Sequence, residues 1–152
     1  MIKLLIMTAQ GKQEEAGLRQ AFRKAGARFT RQREAVWRLF KGKARGLTIP
    51  EAAKALKRKG VGPATVYRTT ALLEKLGLLR RIHDAGGERR FVASRPGHYH
   101  ALVCRSCGQV VDFEGCDLSL LERVLTTETG FRVEGHHLEV FGLCASCKEE
   151  NK

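Results

Sequence analysis

Apolar residues recur at helical spacing through the first half of the chain and at strand spacing through much of the second, with a basic hairpin pattern between. From about Gln13 to Lys24, the residues Ala16, Leu18, Ala21 and Phe22 predict a first helix that closes at Gly26. Val36, Leu39 and Phe40 predict a second, with Thr30 in front of it and Glu34 close to capping-box spacing. Thr48-Ile-Pro50-Glu51 starts a third through Ala52, Ala53 and Leu56, ended by Gly60. A fourth runs from Ala64 to Leu76 behind Pro63, with Val66, Thr69, Leu72, Leu73 and Leu76 on one face and Gly77 as its stop. Leu78 to Ile82 and Glu88 to Val92 flank Asp84-Ala-Gly-Gly87, a strand, a permissive turn and a returning strand. Helices followed by a basic two-stranded wing predict a winged helix-turn-helix.

Beyond Ser94-Arg95-Pro96-Gly97, a turn-rich hinge candidate, the pattern predicts strands at His100 to Cys104, Val110 to Phe113 and Leu138 to Leu143. Between them Leu118, Leu121, Val124 and Leu125 mark one helix ending before Gly130. The expected fold is α+β, with a winged-helix domain over residues 1–93, a hinge over 94–97 and a small α/β domain over 98–152. Two small cores in 152 residues call for something besides apolar burial to hold the smaller one.

Charge sharpens this division. Residues 1–90 carry 22 Lys and Arg against 7 Asp and Glu, a net +15, whereas residues 91–152 carry 6 against 9, a net −3. A basic half of this kind suits a polyanion, because displacing counterions from phosphates drives binding with little regard to sequence. With 43% hydrophobic residues and no apolar run of about 18, a folded protein without a membrane span is expected. Met1 to Met7 is apolar over too short a distance for a signal peptide and reads as the tail of a cytoplasmic protein.

In a helix-turn-helix the second helix of the pair points its early residues at base edges, which here are Ala64, Thr65, Tyr67 and Arg68. Ala and Thr suit a thymine methyl, Tyr a methyl or phosphate, and Arg a guanine or phosphate. The alternative is that Tyr67 packs inside and Arg68 is a solvated charge. Arg28, Arg31 and Arg33 near the start of the second helix, and Arg80, Arg81, Arg89 and Arg90 on the wing, are candidate phosphate contacts. Lys57, Arg58 and Lys59 read as a solvated helix end.

All five cysteines lie beyond residue 100: Cys104-Arg-Ser-Cys107, Cys116 and Cys144-Ala-Ser-Cys147. Two CxxC pairs separated by 36 residues supply four thiolates for one tetrahedral zinc, the staple that the small domain needs. Four thiolates leave no open coordination position, so the expected role is structural. An enzyme would need an open position with an acid or base beside it, and no HExxH sequence is present.

The motifs Pro63-Ala-Thr-Val-Tyr-Arg68, His98-Tyr-His100 ahead of Cys104-x-x-Cys107-Gly, and Gly130-Phe131 leading to His136-His137-Leu138-Glu139 and Cys144-x-x-Cys147 form an ordered set. In that order they resemble the ferric uptake regulator superfamily over nearly the whole chain, with its zinc-sensing branch the favoured comparison. The resemblance implies a dimeric, metal-activated repressor on double-stranded DNA with two-fold half-sites, whose second domain binds metal and pairs subunits. It also implies a sensory metal between the domains. At one family site, beside the hinge, this sequence has Gly46, Val92, Tyr99 and Ala101 where ligands would stand, so in direct register that site is lost.

The other family site retains His98, His100 and His136. The usual Glu aligns with Ser119, and Cys116 three residues earlier is the replacement candidate. A set of three imidazoles and a thiolate favours zinc over iron or manganese. Asp112 is the second-choice ligand, reachable through a strand bulge, and His137 is expected to face away. Glu139 lies on a strand that the resemblance assigns partly to subunit pairing, or else is a surface charge. Iron, manganese or peroxide sensing remains the alternative within the family. Outside it stand a constitutive zinc-containing nucleic-acid-binding protein and a zinc hydrolase.

Overall fold

A computed structural model describes residues 15–95 and 97–150. The tail Met1 to Met7, the predicted start of the first helix at Gln13, and Pro96 in the predicted hinge lie outside the described residues.

Among the described residues, four α-helices build the first half. The first, α1 (residues 15–24), buries Leu18 and Phe22, and Phe22 meets Phe29 edge-to-face at 5.5 Å. Helix α2 (Arg31–Lys41) begins behind Thr30, whose hydroxyl accepts from the Arg33 N–H, and it buries Val36 and Phe40. The capping box anticipated there is only half made: Glu34 stands one position too far along and pairs with Arg38 on the next turn. Helix α3 (Ile49–Leu56) has the complete device, with Glu51 N–H donating to the Thr48 hydroxyl and Thr48 N–H to the Glu51 carboxylate. A 3-10 turn (Lys57–Lys59) ends at Gly60, whose φ of 69° suits a residue without Cβ. Helix α4 (Pro63–Lys75) starts on proline and buries Val66, Thr69, Thr70 and Leu73 against α2 and α3.

The wing consists of β1 (Leu79–His83) and β2 (Arg89–Ala93), antiparallel with Leu79 opposite Ala93. Its turn is fixed by Asp84, which accepts the Gly86 and Glu88 N–H groups, both at 2.9 Å. Leu47, just before α3, pairs with Phe91 through two backbone hydrogen bonds, so the wing is tied to the helices by main chain as well as by core contacts. One apolar cluster runs from Leu18 and Phe22 through Phe40 and Leu73 to Leu79 and Phe91.

The second half is a three-stranded sheet in the order β4-β3-β5. Central β3 (His100–Cys104) is antiparallel to β4 (Val110–Phe113) and parallel to β5 (Glu139–Gly142). A parallel pair needs a crossover, supplied by α5 (Ser119–Thr129). A last helix, α6 (Ala145–Glu150), was not foreseen; six residues are too few for a periodicity to register. A second buried cluster joins Ile82 and Val92 of the wing to Ala101 and Val103 of β3.

Two candidate metal centres and a candidate nucleic-acid face

The two CxxC pairs meet where β3 turns and where β5 runs into α6. After Cys104 the chain reverses at Gly108 (φ 72°), which donates to the Cys104 carbonyl at 2.9 Å. The four sulfurs of Cys104, Cys107, Cys144 and Cys147 all lie within 4.8 Å of one another. Cys107 and Cys144 stand 3.8 Å apart, against an S–S edge of about 3.8 Å for a tetrahedron with zinc–sulfur bonds of about 2.3 Å. The Cys144 N–H donates to Cys104 Sγ at 3.3 Å. Such donation favours a thiolate: the Cys107 and then the Cys144 N–H groups pull Cys104 down to about 6. Cys147 is pushed up to about 12; the Ser106 hydroxyl favours its ionisation, but the neighbouring Cys144 thiol and burial outweigh it. Four sulfurs this close ionise together only with a cation among them, so the quartet fits a tetrahedral soft ion.

The second cluster is assembled from three stretches of chain. His98 precedes β3, His100 begins it, Cys116 lies between β4 and α5, and His136 leads into β5. His136 Nε2 is 3.1 Å from His98 Nε2, 3.3 Å from His100 Nε2 and 3.5 Å from Cys116 Sγ. For zinc, tetrahedral edges come to about 3.3 Å between nitrogens and about 3.6 Å between nitrogen and sulfur. The donor atoms thus converge on one point with the spacing such an ion requires. His100 is only 3% exposed, and burial, then the His98 and His136 charges, hold it below its ordinary value, against the Leu138 carbonyl. A neutral imidazole is the ligating form.

One participant escaped the sequence reading. Glu122 on α5 brings Oε1 to 3.4 Å from His136 Nδ1, the ring nitrogen away from the cluster. A carboxylate there fixes the tautomer that leaves Nε2 free to bind. Its signal in the sequence was slight: a Glu about one helical turn beyond Ser119.

Asp112 is not in this cluster. Strands β3 and β4 pair without interruption from His100↔Phe113 to Val103↔Val110, so the bulge that would turn Asp112 toward the histidines does not form. Its carboxylate instead faces Arg80, with Arg95 at 3.7 Å. His137 is exposed and outside the cluster. His137-Leu138-Glu139 has HxE spacing, yet Glu139 accepts from His83 at 3.3 Å rather than facing either cluster. The hinge positions carry no ligand types, and a Cβ on Gly46 would lie 2.9 Å from Val92 Cγ1.

On the basic half, Ala64, Tyr67 and Arg68 are exposed at the start of α4 and Thr65 is half-buried. Tyr67 is 62% exposed, so it does not pack inside. Arg28, Arg31 and Arg89 are also exposed. Four expected phosphate contacts are committed elsewhere. Arg33 donates to the Arg28 carbonyl at 2.5 Å and lies over the Phe22 ring. Arg90, 19% exposed, pairs with Glu51 at 3.1 Å and Asp84 at 3.2 Å. Arg80 and Arg81 are likewise paired, with Asp112 and Glu74. Long side chains near a carboxylate fold onto it, and such partners are invisible to local patterning.

The chain matches the ferric uptake regulator family over residues 24–141. It is 33% identical over 132 residues to the peroxide-responsive repressor PerR of Staphylococcus epidermidis, covering 86% of this chain and 87% of that one. It is similar to the ferric uptake regulator of Vibrio cholerae, with a TM-score of 0.62 at 27% identity over 83% of this chain and 98% of that one. A zinc uptake regulator solved with zinc and DNA is similar in fold, with a TM-score of 0.72 at 23% identity over 92% of this chain and 96% of the other.

Proposed function

The chain belongs to the ferric uptake regulator family of metal-responsive, DNA-binding transcription regulators, which are not enzymes, and from that premise we propose that it is a zinc-responsive repressor. The carrying observation is the convergence of His98, His100, Cys116 and His136 on one point at zinc-like spacing. A thiolate with three imidazoles is a borderline-soft set, suited to zinc over iron or manganese. Zinc bound there would supply a cation that holds these three stretches of chain together. The cysteine quartet takes a second, structural zinc.

His98 directly follows the hinge over 94–97, so a cation that joins it to His136 ties the exit of the hinge to the second sheet. DNA is met by Arg28, Arg31 and Arg89 at phosphates and by Ala64, Thr65, Tyr67 and Arg68 at base edges. Metal and DNA must favour one shared arrangement for the switch to work. The protein acts as a cytoplasmic homodimer on two-fold half-sites. Support for pairing comes from one row across the second sheet, Val111, Leu102 and Val140, whose side chains are 49%, 41% and 37% exposed and thus uncovered in one chain.

The test is elemental analysis before and after mild chelation, with DNA affinity measured at each metal content and fixed salt. Two zinc ions per chain are expected, one labile, and its loss weakens DNA binding by roughly 5- to 150-fold. Equal affinity after its removal overturns the reading. Peroxide sensing is the second reading, favoured by the Staphylococcus epidermidis relative. It requires iron in protein purified without air, and peroxide-dependent oxygen addition at His98, His100 or His136; zinc retained at the histidine cluster after purification both with and without air contradicts it.

A further inference from the structure

Besides a backbone hydrogen bond from the Val110 N–H to the Ala44 carbonyl at 3.0 Å, the two halves touch through the wing, and that contact has a definite construction. In the second sheet Asp112, Ala101 and Glu139 form one row, since Ala101 is opposite Asp112 on one side and Glu139 on the other. Strand β1 meets both ends of that row. Arg80 pairs with Asp112, and His83 gives its backbone N–H to Glu139 at 3.3 Å while its Nδ1 lies 3.2 Å from the same oxygen. Between the polar ends Ile82, fully buried, belongs to one apolar cluster with Ala101 and Val103. Arg95, beyond the wing, adds a second cation to Asp112 at 3.7 Å.

Both carboxylates stand beside the histidine cluster. Glu139 is three residues after His136, and Asp112 adjoins Phe113, the register partner of His100. On its other side the wing is fixed to the helices: Leu47 pairs with Phe91, Arg90 pairs with Glu51, and Gly46 approaches Val92 too closely to admit a Cβ. A displacement of the second sheet therefore reaches α3 and α4 through β1 and β2.

We propose that Arg80 and His83 are positioning residues forming a clasp on Asp112 and Glu139, and that this clasp transmits the state of the His98, His100, Cys116 and His136 cluster to the DNA-reading helices. The clasp uses no ion of its own, in a chain whose hinge positions lack ligand side chains. Charge-assisted contacts at two separated points flanking an apolar centre resist both sliding and rotation, as a purely apolar contact would not. The proposal rests on the metal-responsive reading above.

The experiment uses the full chain with Asp112→Asn and Glu139→Gln, singly and together; both changes are isosteric and remove no cation from the DNA-binding face. Zinc content by elemental analysis reports that the quartet and the folded sheet persist. DNA affinity is measured with and without the labile zinc, on a duplex selected from a random pool by the zinc-loaded protein. The double variant is expected to keep its zinc and retain no more than about twofold of the zinc-dependent gain in affinity. An undiminished gain overturns the clasp. Amide hydrogen exchange in residues 79–83 is read on the same samples, independently of DNA. Faster exchange there in the double variant, with β3 unchanged, supports the clasp, and unchanged exchange in β1 overturns it. Absence of any zinc-dependent gain in the unaltered protein counts against the metal-responsive reading, while the exchange data still judge the clasp.

Discussion

At the scale of single residues, the informative feature is which long side chains are already engaged. Arg89 is exposed, whereas Arg90 is held by Glu51 and Asp84. If Arg89 contacts a phosphate, Arg89→Ala reduces the slope of log affinity against log salt by about one. Arg90→Ala is expected to weaken DNA binding with that slope unchanged, because it removes a brace rather than a contact; titrations at several salt concentrations separate the two. Glu122 is the corresponding brace in the histidine cluster. Glu122→Gln keeps the shape but weakens the pull on His136 Nδ1, and zinc affinity at that cluster should fall about tenfold in chelator competition. An unchanged affinity would make Glu122 a bystander. These roles were not legible in the sequence, because Arg90 and Glu51 lie 39 positions apart and only the folded chain makes them neighbours. The ligand types were legible, since metal chemistry restricts them to few residues and CxxC turns bring sulfurs together locally.

At the scale of elements, most helices and strands lie within a residue or two of where periodicity and capping residues place them. The exceptions have local causes: Glu34 sits one position beyond where a capping box can close, and α6 is too short to show a period. The wing illustrates how an element is held by charge as well as by register. Bonding to the Thr48 N–H, assisted by Arg90, keeps the Glu51 carboxyl below its ordinary 4.5. The Glu88 N–H, again with Arg90, keeps Asp84 below 3.8. Folding that lowers a carboxyl pKa makes the unfolded chain the better proton acceptor. The stabilisation is therefore complete above about pH 4.5 and is lost as pH falls through the depressed values. Melting temperatures compared between the unaltered protein and Glu51→Gln should differ most at neutral pH and converge as pH falls below the depressed Glu51 value. A constant difference across that range would show that the carboxylate's charge is irrelevant. The subtraction matters because proton competition at the thiolates and imidazoles affects both proteins alike.

At the scale of the whole molecule, the two halves are stabilised by different means. The winged helix has a continuous apolar core from Leu18 to Phe91. Among the described residues the second half buries little apart from Ala101, Val103, His100, Cys104 and Cys147, and α5 buries nothing within one chain. Full burial of a valine contributes only about 1.5–3 kcal/mol, whereas structural zinc on thiolates contributes on the order of 10 kcal/mol to folding at neutral pH. With zinc on the quartet and a partner surface in the dimer, as proposed, these two supply most of what holds this half together. Stringent chelation that empties the quartet should unfold the sheet first and leave the helices intact. Ile82 and Val92 complicate this, because they pack on Ala101 and Val103 and lose those partners when the sheet melts. The wing is expected to loosen while Leu79 and Phe91, which face the larger core, hold its base. Hydrogen exchange on the chelated protein should show rapid exchange throughout residues 100–142, intermediate exchange in β1 and β2, and full protection in α2 and α4. Simultaneous loss of protection everywhere would mean that the halves form one cooperative unit, with the wing cluster, rather than the thiolates, as its keystone.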